Sequence, residues 1–400
     1  MASRAHPAGS SRETPPRRRN YRTRRLVAFL LAAALLAVGA NRLFGRGDPV
    51  LGRDDAPIML AWTSDPLLPK LTTAARQAEG IGAVAEARNG VGWLNSWGPD
   101  GGQPLAAPSG YMVPVEILAV DPEDYAEFIP PGERSRFTAL QEGGALMGAT
   151  GASFRGIEGE GSLSFSEATI PVRGVVPDEL VASHEVVVSN ETAAQLGITD
   201  RKYLLIELER GTSRDEAEEE LRTLLPSGAR LDLRPPGESE VFRPGGKILT
   251  QADIKRRFGE FAGRPGRGRN IQVDPKWIDE NTANVTIPLL GTARCHRKVI
   301  PQIQAAFREV AAQNLDGLIR RGDFGGCFAP RLLNDDPHSG ISHHAWGIAF
   351  DFNVSRNPYG AKPNMDPRLV ELLDEWGFTW GGLWEVPDGM HYEYLREADS

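Results

Sequence analysis

The alternation of apolar and polar positions predicts most of the elements of this chain. Apolar or alternating runs at Val113–Val120, Thr169–Val176, 185–188 and 203–208 read as strands. Two helices are predicted among them. One follows Ser189 (Asn190-Glu-Thr-Ala-Ala-Gln-Leu) and closes at Gly197; the other starts at the capping box Ser213-x-x-Glu216 and runs to about Leu225. Further on, 248–261 reads as partly helical, 263–269 as a basic, Gly-rich bend and 285–290 as a strand. Pro301 is suited to open a helix whose apolar stripe is Ile303, Phe307, Val310 and Ala311. A last helix over 367–376 carries Leu369, Leu372 and Leu373 on one side and ends at Gly377.

Two short strands have a different pattern. Ile348, Phe350 and Phe352 alternate with Ala349, Asp351 and Asn353, which predicts one face in a core and one facing a site. In 391–394, His391 and Glu393 share one face and Tyr392 and Tyr394 the other.

Near the start, residues 26–40 are free of charge, and Leu43 and Phe44 extend the run past Asn41 and Arg42. A full membrane span takes roughly 20 residues, so the segment is of borderline length. Residues 1–25 hold eight arginines and one acid, Glu13, which predicts a cytoplasmic N-terminus and an exported remainder. Val38-Gly39-Ala40 would serve as a signal-peptide cleavage site; the length of the basic arm favours an uncleaved anchor. Either way the rest is exported. A Gly/Asp/Pro linker covers 45–57, and 235–247, rich in Pro and Gly, reads as a second.

Composition narrows the picture. Four hundred residues with 40% hydrophobic content suit two or three packed domains, and a net charge of −8 argues against nucleic acid as a partner. The two cysteines, Cys295 and Cys327, flank a predicted helix. In an oxidising compartment one disulfide is the natural reading, worth on the order of 3 to 4 kcal/mol; two buried thiols are the alternative.

The chemistry is concentrated late in the chain. Ser342-x-His344-x-x-Gly347-x-Ala349-x-Asp351 sets an imidazole and a carboxylate seven positions apart, and Asp388-Gly-Met-His391-Tyr-Glu393 adds a second imidazole. Two His and one Asp around a tetrahedral Zn2+ leave one open position, the layout of a catalytic site. Gly347 permits the turn that folds His344 back toward Asp351. His343 lacks the spacing of His344, and His6, His184, His296 and His338 read as packed or solvated. Asp388 suits a general acid/base beside the metal, with Glu385 as the fallback, and Glu393 suits a residue that orients a ligand. Taken singly, each has a plain structural reading: a turn aspartate, a strand-end carboxylate, a core histidine.

These residues resemble the zinc D-alanyl-D-alanine carboxypeptidase and L-alanyl-D-glutamate endopeptidase family of cell-wall peptidases, over about 248–394. The resemblance implies His344, Asp351 and His391 as metal ligands and Asp388 as catalytic acid/base. It also implies Arg331 as a catalytic and substrate-binding arginine and Ser342 as a substrate-binding or supporting hydroxyl. Asp388, where many carboxypeptidases have Glu, is more like the endopeptidase branch. In residues 58–234 the order of elements, with Asn190-Glu-Thr-Ala-Ala-Gln-Leu-Gly leading into a strand, looks faintly like extracytoplasmic domains of transporter-type permeases; the alternative is a generic α+β spacer that holds the enzyme away from the membrane.

The expectation is an α+β chain: a basic arm (1–25), a transmembrane anchor or signal segment (26–44), an extracytoplasmic α+β domain (58–234), a linker (235–247) and a zinc peptidase domain with a small antiparallel sheet (248–397). Its partners would be peptidoglycan stem peptides and, through the N-terminal helix, the membrane. Two rivals stand beside a peptidase: a catalytically inactive zinc domain that binds wall fragments or a membrane partner, and a sensory or structural protein centred on 58–234.

Overall fold

The structure, a computed structural model, describes residues 58–62, 67, 69–182, 184–225, 230–234, 249–384 and 386–398. The basic arm, the apolar run 26–44, the linker 235–247 and Glu385 lie outside the described residues. Among the described residues no helix is long and apolar enough to cross a membrane.

The first half is built round one long strand. Among the described residues β1 (Ile58–Trp62), β2 (Ile81–Pro99), β3 (Leu105–Ala106), β4 (Val113–Val120), β5 (Ala145–Gly148), β6 (Gly161–Phe165), β7 (Thr169–Val176), β8 (Val186–Ser189), β9 (Arg201–Leu208) and β10 (Arg230–Arg234) form a single sheet. The 19-residue β2 pairs with β9 along its first part and with β6 along its last. Because β6 returns to β2, strands β2, β4, β8, β5, β7 and β6 close into a ring, and β9, β1 and β10 continue outward from it.

The sequence pattern explains the layering. In β4, Val113, Val115, Ile117 and Ala119 share a core with Leu163, Ile170 and Val172, while Leu118 and Val120 pack with Tyr125 and Phe137 on the other face. Burial on both faces is why β4 reads as a nearly continuous apolar run. The predicted strands and helices of this half are present, with α1 (Asn190–Gln195) and α2 (Arg214–Leu224) capped by Ser189 and Ser213. β2 escapes the pattern because its first part is rich in alanine and glycine.

The second half holds α3 (Gln251–Phe258), the hairpins β11 (Gly263–Pro265) with β12 (Ile271–Val273) and β13 (Thr282–Ile287) with β14 (Gly291–His296), then α4 (Ile300–Ala312). A four-stranded antiparallel sheet follows in the order β15 (Phe324–Gly326), β16 (Ala349–Phe352), β18 (His391–Tyr394) and β17 (Phe378–Trp380), with α5 (Pro367–Glu375) preceding β17. The strand expected at 285–290 is corrected to β13, since Pro288 has no N–H for a ladder and Leu289 turns at φ 67°. In α4, Ala306 is buried and Ala311 is exposed, so the stripe runs Ile303, Ala306, Phe307, Val310. Leu369, Leu372 and Leu373 of α5 are buried as expected, and Gly377 closes that helix at φ 77°.

The two halves share buried ground. Val91 and Trp93 of β2 belong to the core that holds Phe261, Trp346 and Ile348. Beside it lies a buried ion cluster. Arg155, from the helix Ala149–Arg155, grips both Glu260 oxygens at 2.7 Å and lies over the Trp97 ring at 4.8 Å. Lys255 of α3 is bonded to Glu185 at 2.7 and 3.0 Å and to the Pro114 carbonyl, and lies 3.0 Å from Glu260. Burial alone would raise the Glu260 carboxyl; Lys255 and Arg155 instead hold it down at about 2. Removing one member of a buried cluster strands the other charges. Lys255→Ala is therefore expected to cost about 3 to 5 kcal/mol in urea unfolding of the full chain, and a change under about 1 kcal/mol would contradict the clamp.

Candidate metal centre

The site is assembled from one sheet face and one turn. Register pairs Asp351 of β16 directly with His391 of β18, and Ala349 with Glu393, so these four side chains share a face. On the other face Phe350 and Phe352 stack on Tyr392 at 5.7 and 5.2 Å between ring centroids. That aromatic layer fixes the register, because a slip of one residue would bring Asp351 into it.

His344 arrives from the turn His343–Ala345. The Ser342 Oγ caps this turn by accepting the His344 N–H at 3.4 Å. Gly347, at φ 70°, closes the turn where a Cβ would stand 2.9 Å from the His296 nitrogen of β14. The His344 Nδ1–H donates to the Cys327 carbonyl at 2.7 Å, which leaves Nε2 as the free lone pair. Cys327 is itself tied to Cys295 of β14 by the expected disulfide. The ring that points into the site is thus held through a backbone carbonyl next to a covalent bond.

Three atoms meet there. His344 Nε2 lies 3.2 Å from Asp351 Oδ1 and 3.2 Å from His391 Nδ1, and the last two are 2.9 Å apart. Ligands on a tetrahedral zinc at about 2.0–2.1 Å stand about 3.3 Å from one another. The triangle matches one face of that tetrahedron, so the donor set fits a metal ion with its fourth position open.

The surrounding charges are arranged around this triangle. Burial would raise the Asp351 carboxyl, but the imidazoles of His344 and His391 packed against it hold it far below the usual carboxylate range. Burial works against a charged His391, yet Asp351 and Glu393 outweigh it and push the imidazole up to about 10. Burial lowers His344, and Asp351 only partly offsets it. Behind His391, its Nε2–H donates to Glu393 Oε2 at 3.3 Å, and His343 Nδ1 stands 2.7 Å from the same oxygen. Glu393 thus holds the far side of the His391 ring. His343 is no member of the triangle but a close neighbour of Glu393, a contact missed in the sequence because nothing there links 343 to 393.

Asp388 occupies the turn before β18, its N–H on the Gly381 carbonyl at 2.9 Å and its carbonyl receiving the His391 N–H at 3.1 Å. Its Oδ1 is buried and lacks a hydrogen-bond partner among the described residues. Burial raises this carboxyl, His391 opposes, and Asp351 raises it again. Arg331 is half-buried; burial lowers its guanidinium, with Asp351 the main opposing charge and Asp388 adding to it. Ser342 is buried, with its hydroxyl engaged in the turn.

Residues 336–394 match the family model described as D-alanyl-D-alanine carboxypeptidase. The matched segment contains all three members of the triangle and Asp388. It is shorter than the 248–394 expected and leaves out Arg331 and both cysteines. The sequence matches no curated protein. Among solved structures, the periplasmic region of MacB from Actinobacillus actinomycetemcomitans is similar at 10% identity and a TM-score of 0.33, over 45% of this chain and 88% of that one. The extracellular domain of the noncanonic ABC-type transporter YknZ from Gram-positive bacteria gives 11% identity and 0.27, over 41% and 88%. Neither likeness is close enough to carry the fold or role of residues 58–234.

A cation entering the triangle would have to displace the proton that the carboxylates hold on His391, so below about pH 10 its affinity should rise about tenfold for each unit rise in pH, for one displaced proton. Calorimetric titration between pH 6 and 8, values chosen for roughly neutral conditions, checks this. Binding that is independent of pH, or equal in His391→Ala, would contradict the assignment.

Proposed function

We propose that the chain is a zinc metallopeptidase that hydrolyses peptidoglycan stem peptides, as a D-alanyl-D-alanine carboxypeptidase or an L-alanyl-D-glutamate endopeptidase. The observation that carries the reading is the His344, Asp351, His391 triangle, with Asp388, whose buried Oδ1 has no hydrogen-bond partner among the described residues, in the turn that leads to His391. His344, Asp351 and His391 would hold the ion. When bound, zinc supplies Lewis acidity at a carbonyl oxygen and acidifies water.

The chain's own residues supply the rest. Asp388, with one oxygen free and its acidity weakened by burial, takes the proton of the attacking water and returns it to the leaving amine. Arg331, a fixed cation, donates hydrogen bonds to the oxygen on which charge develops. Glu393 keeps the His391 ring in the plane that aims Nδ1 at the ion, and the Cys327 carbonyl does the same for His344. Ser342 contributes by shaping the turn. An inactive binding domain has no need of Asp388 in this setting, and no observation favours that rival.

The same reading puts the peptidase part outside the cytoplasmic membrane, anchored by 26–44 or released after cleavage. The Cys295–Cys327 disulfide supports an oxidising compartment.

Mass spectrometry of purified muropeptides after incubation with the protein tests the activity and identifies the bond cut. Asp388→Ala is expected to keep its metal and its fold while kcat falls by roughly 10²-fold or more. Asp388→Glu should retain metal with partial activity, since the longer side chain moves the carboxylate by about one methylene. Near-full activity in Asp388→Ala would refute the assigned role, and loss of metal would make Asp388 a ligand.

A further inference from the structure

Residues 331–342 form a hairpin whose base lies at the metal centre. There the Ser342 N–H donates to the Arg331 carbonyl at 3.0 Å, Leu332 is bridged to Ile341, and the Leu333 N–H donates to the Gly340 carbonyl at 2.8 Å. The base carries Arg331 on one strand and, on the other, Ser342, which caps the turn of His344.

The tip is held by the N-terminal sheet, across a long sequence distance. The Val91 N–H of β2 donates to the His338 carbonyl at 2.8 Å, and the His338 Nδ1–H donates back to the Val91 carbonyl at 3.0 Å. Two residues along β2, the Trp93 Nε1–H donates to the Pro337 carbonyl at 2.8 Å. The sheet is also cut to receive this tip. A Cβ at Gly90 would stand 2.9 Å from the His338 carbonyl oxygen, and one at Gly197 would stand 2.7 Å from the imidazole Nε2. Both are closer than real Cβ contacts, so the two glycines open a seat for His338.

A surface hairpin pinned only at its base would leave its tip free to move. This one is pinned at both ends, and its far end is fixed to a different part of the chain. We propose that β2 is a positioning element for the catalytic centre: it seats His338 and Pro337, sets the inclination of the hairpin, and so aims the Arg331 guanidinium. This rests on the peptidase reading for the role of Arg331. His338 and Trp93 are positioning residues, remote from the reacting atoms. The N-terminal domain is then part of the enzyme's working geometry and not a spacer.

The test uses the full chain with His338→Ala and the milder Trp93→Phe, which removes one donor and keeps most of the ring. Amide hydrogen exchange of 332–341, metal content, and kcat and KM on purified muropeptides are measured, the kinetics also in an Arg331→Ala background. Both variants should keep the metal and raise exchange in the hairpin. His338→Ala should lower kcat by about tenfold or more with a smaller change in KM. In the Arg331→Ala background it should cause no further loss, because the two changes act through one group. Unchanged exchange in both variants, an unaltered kcat despite raised exchange, or the same fold-loss in both backgrounds would overturn the proposal. A wild-type protein that cut no stem peptide would refute the peptidase reading instead, and the exchange arm would still decide whether β2 holds the hairpin.

Discussion

Two carboxylates withdrawn from water, Asp351 and Glu393, set the terms for the C-terminal half. Burying a charge costs several kcal/mol unless a partner compensates it. Here the compensating charge is the His391 imidazolium, 2.9 Å from Asp351 and 3.3 Å from Glu393, with His344 and His343 as further polar neighbours of the two acids. His391 is shared, and its ring stands between the two acids. This explains why a proton is held so firmly on it and why a divalent ion, bringing more positive charge to the same point, suits the site. Everything that fixes these rings then becomes a condition for the site: the cross-strand register, the aromatic layer beneath it, the cap at Ser342 and the Cys327 carbonyl.

The same logic reaches the N-terminal half. Arg155, Lys255, Glu185 and Glu260 bring charges from both halves into one buried cluster, and β2 lends Val91 and Trp93 to the core under the metal centre. Such a contact resists sliding, because each displacement strands a charge. The halves therefore meet in a defined geometry, which a hairpin spanning them can use.

Much of the centre was legible in the sequence because its determinants are local. A period of two marks the faces of β16 and β18, and the spacing of His344, Gly347 and Asp351 marks the turn that leads into β16. What was not legible depends on the tertiary arrangement. No local pattern links His343 to Glu393 or His338 to Val91, which are separated by 247 positions. From the sequence His338 reads only as a packed or solvated histidine. β2 was equally hidden, since alanine and glycine in a strand carry little periodic signal while they allow the close approach that this strand needs.

The central claim is that His344, Asp351 and His391 form a metal-binding face. Anomalous diffraction from crystals grown with zinc, recorded above and below the zinc absorption edge, tests it most directly. The account predicts one strong peak per chain, about 2.0 to 2.2 Å from His344 Nε2, Asp351 Oδ1 and His391 Nδ1. Bound zinc located elsewhere, with the triangle vacant, would contradict it.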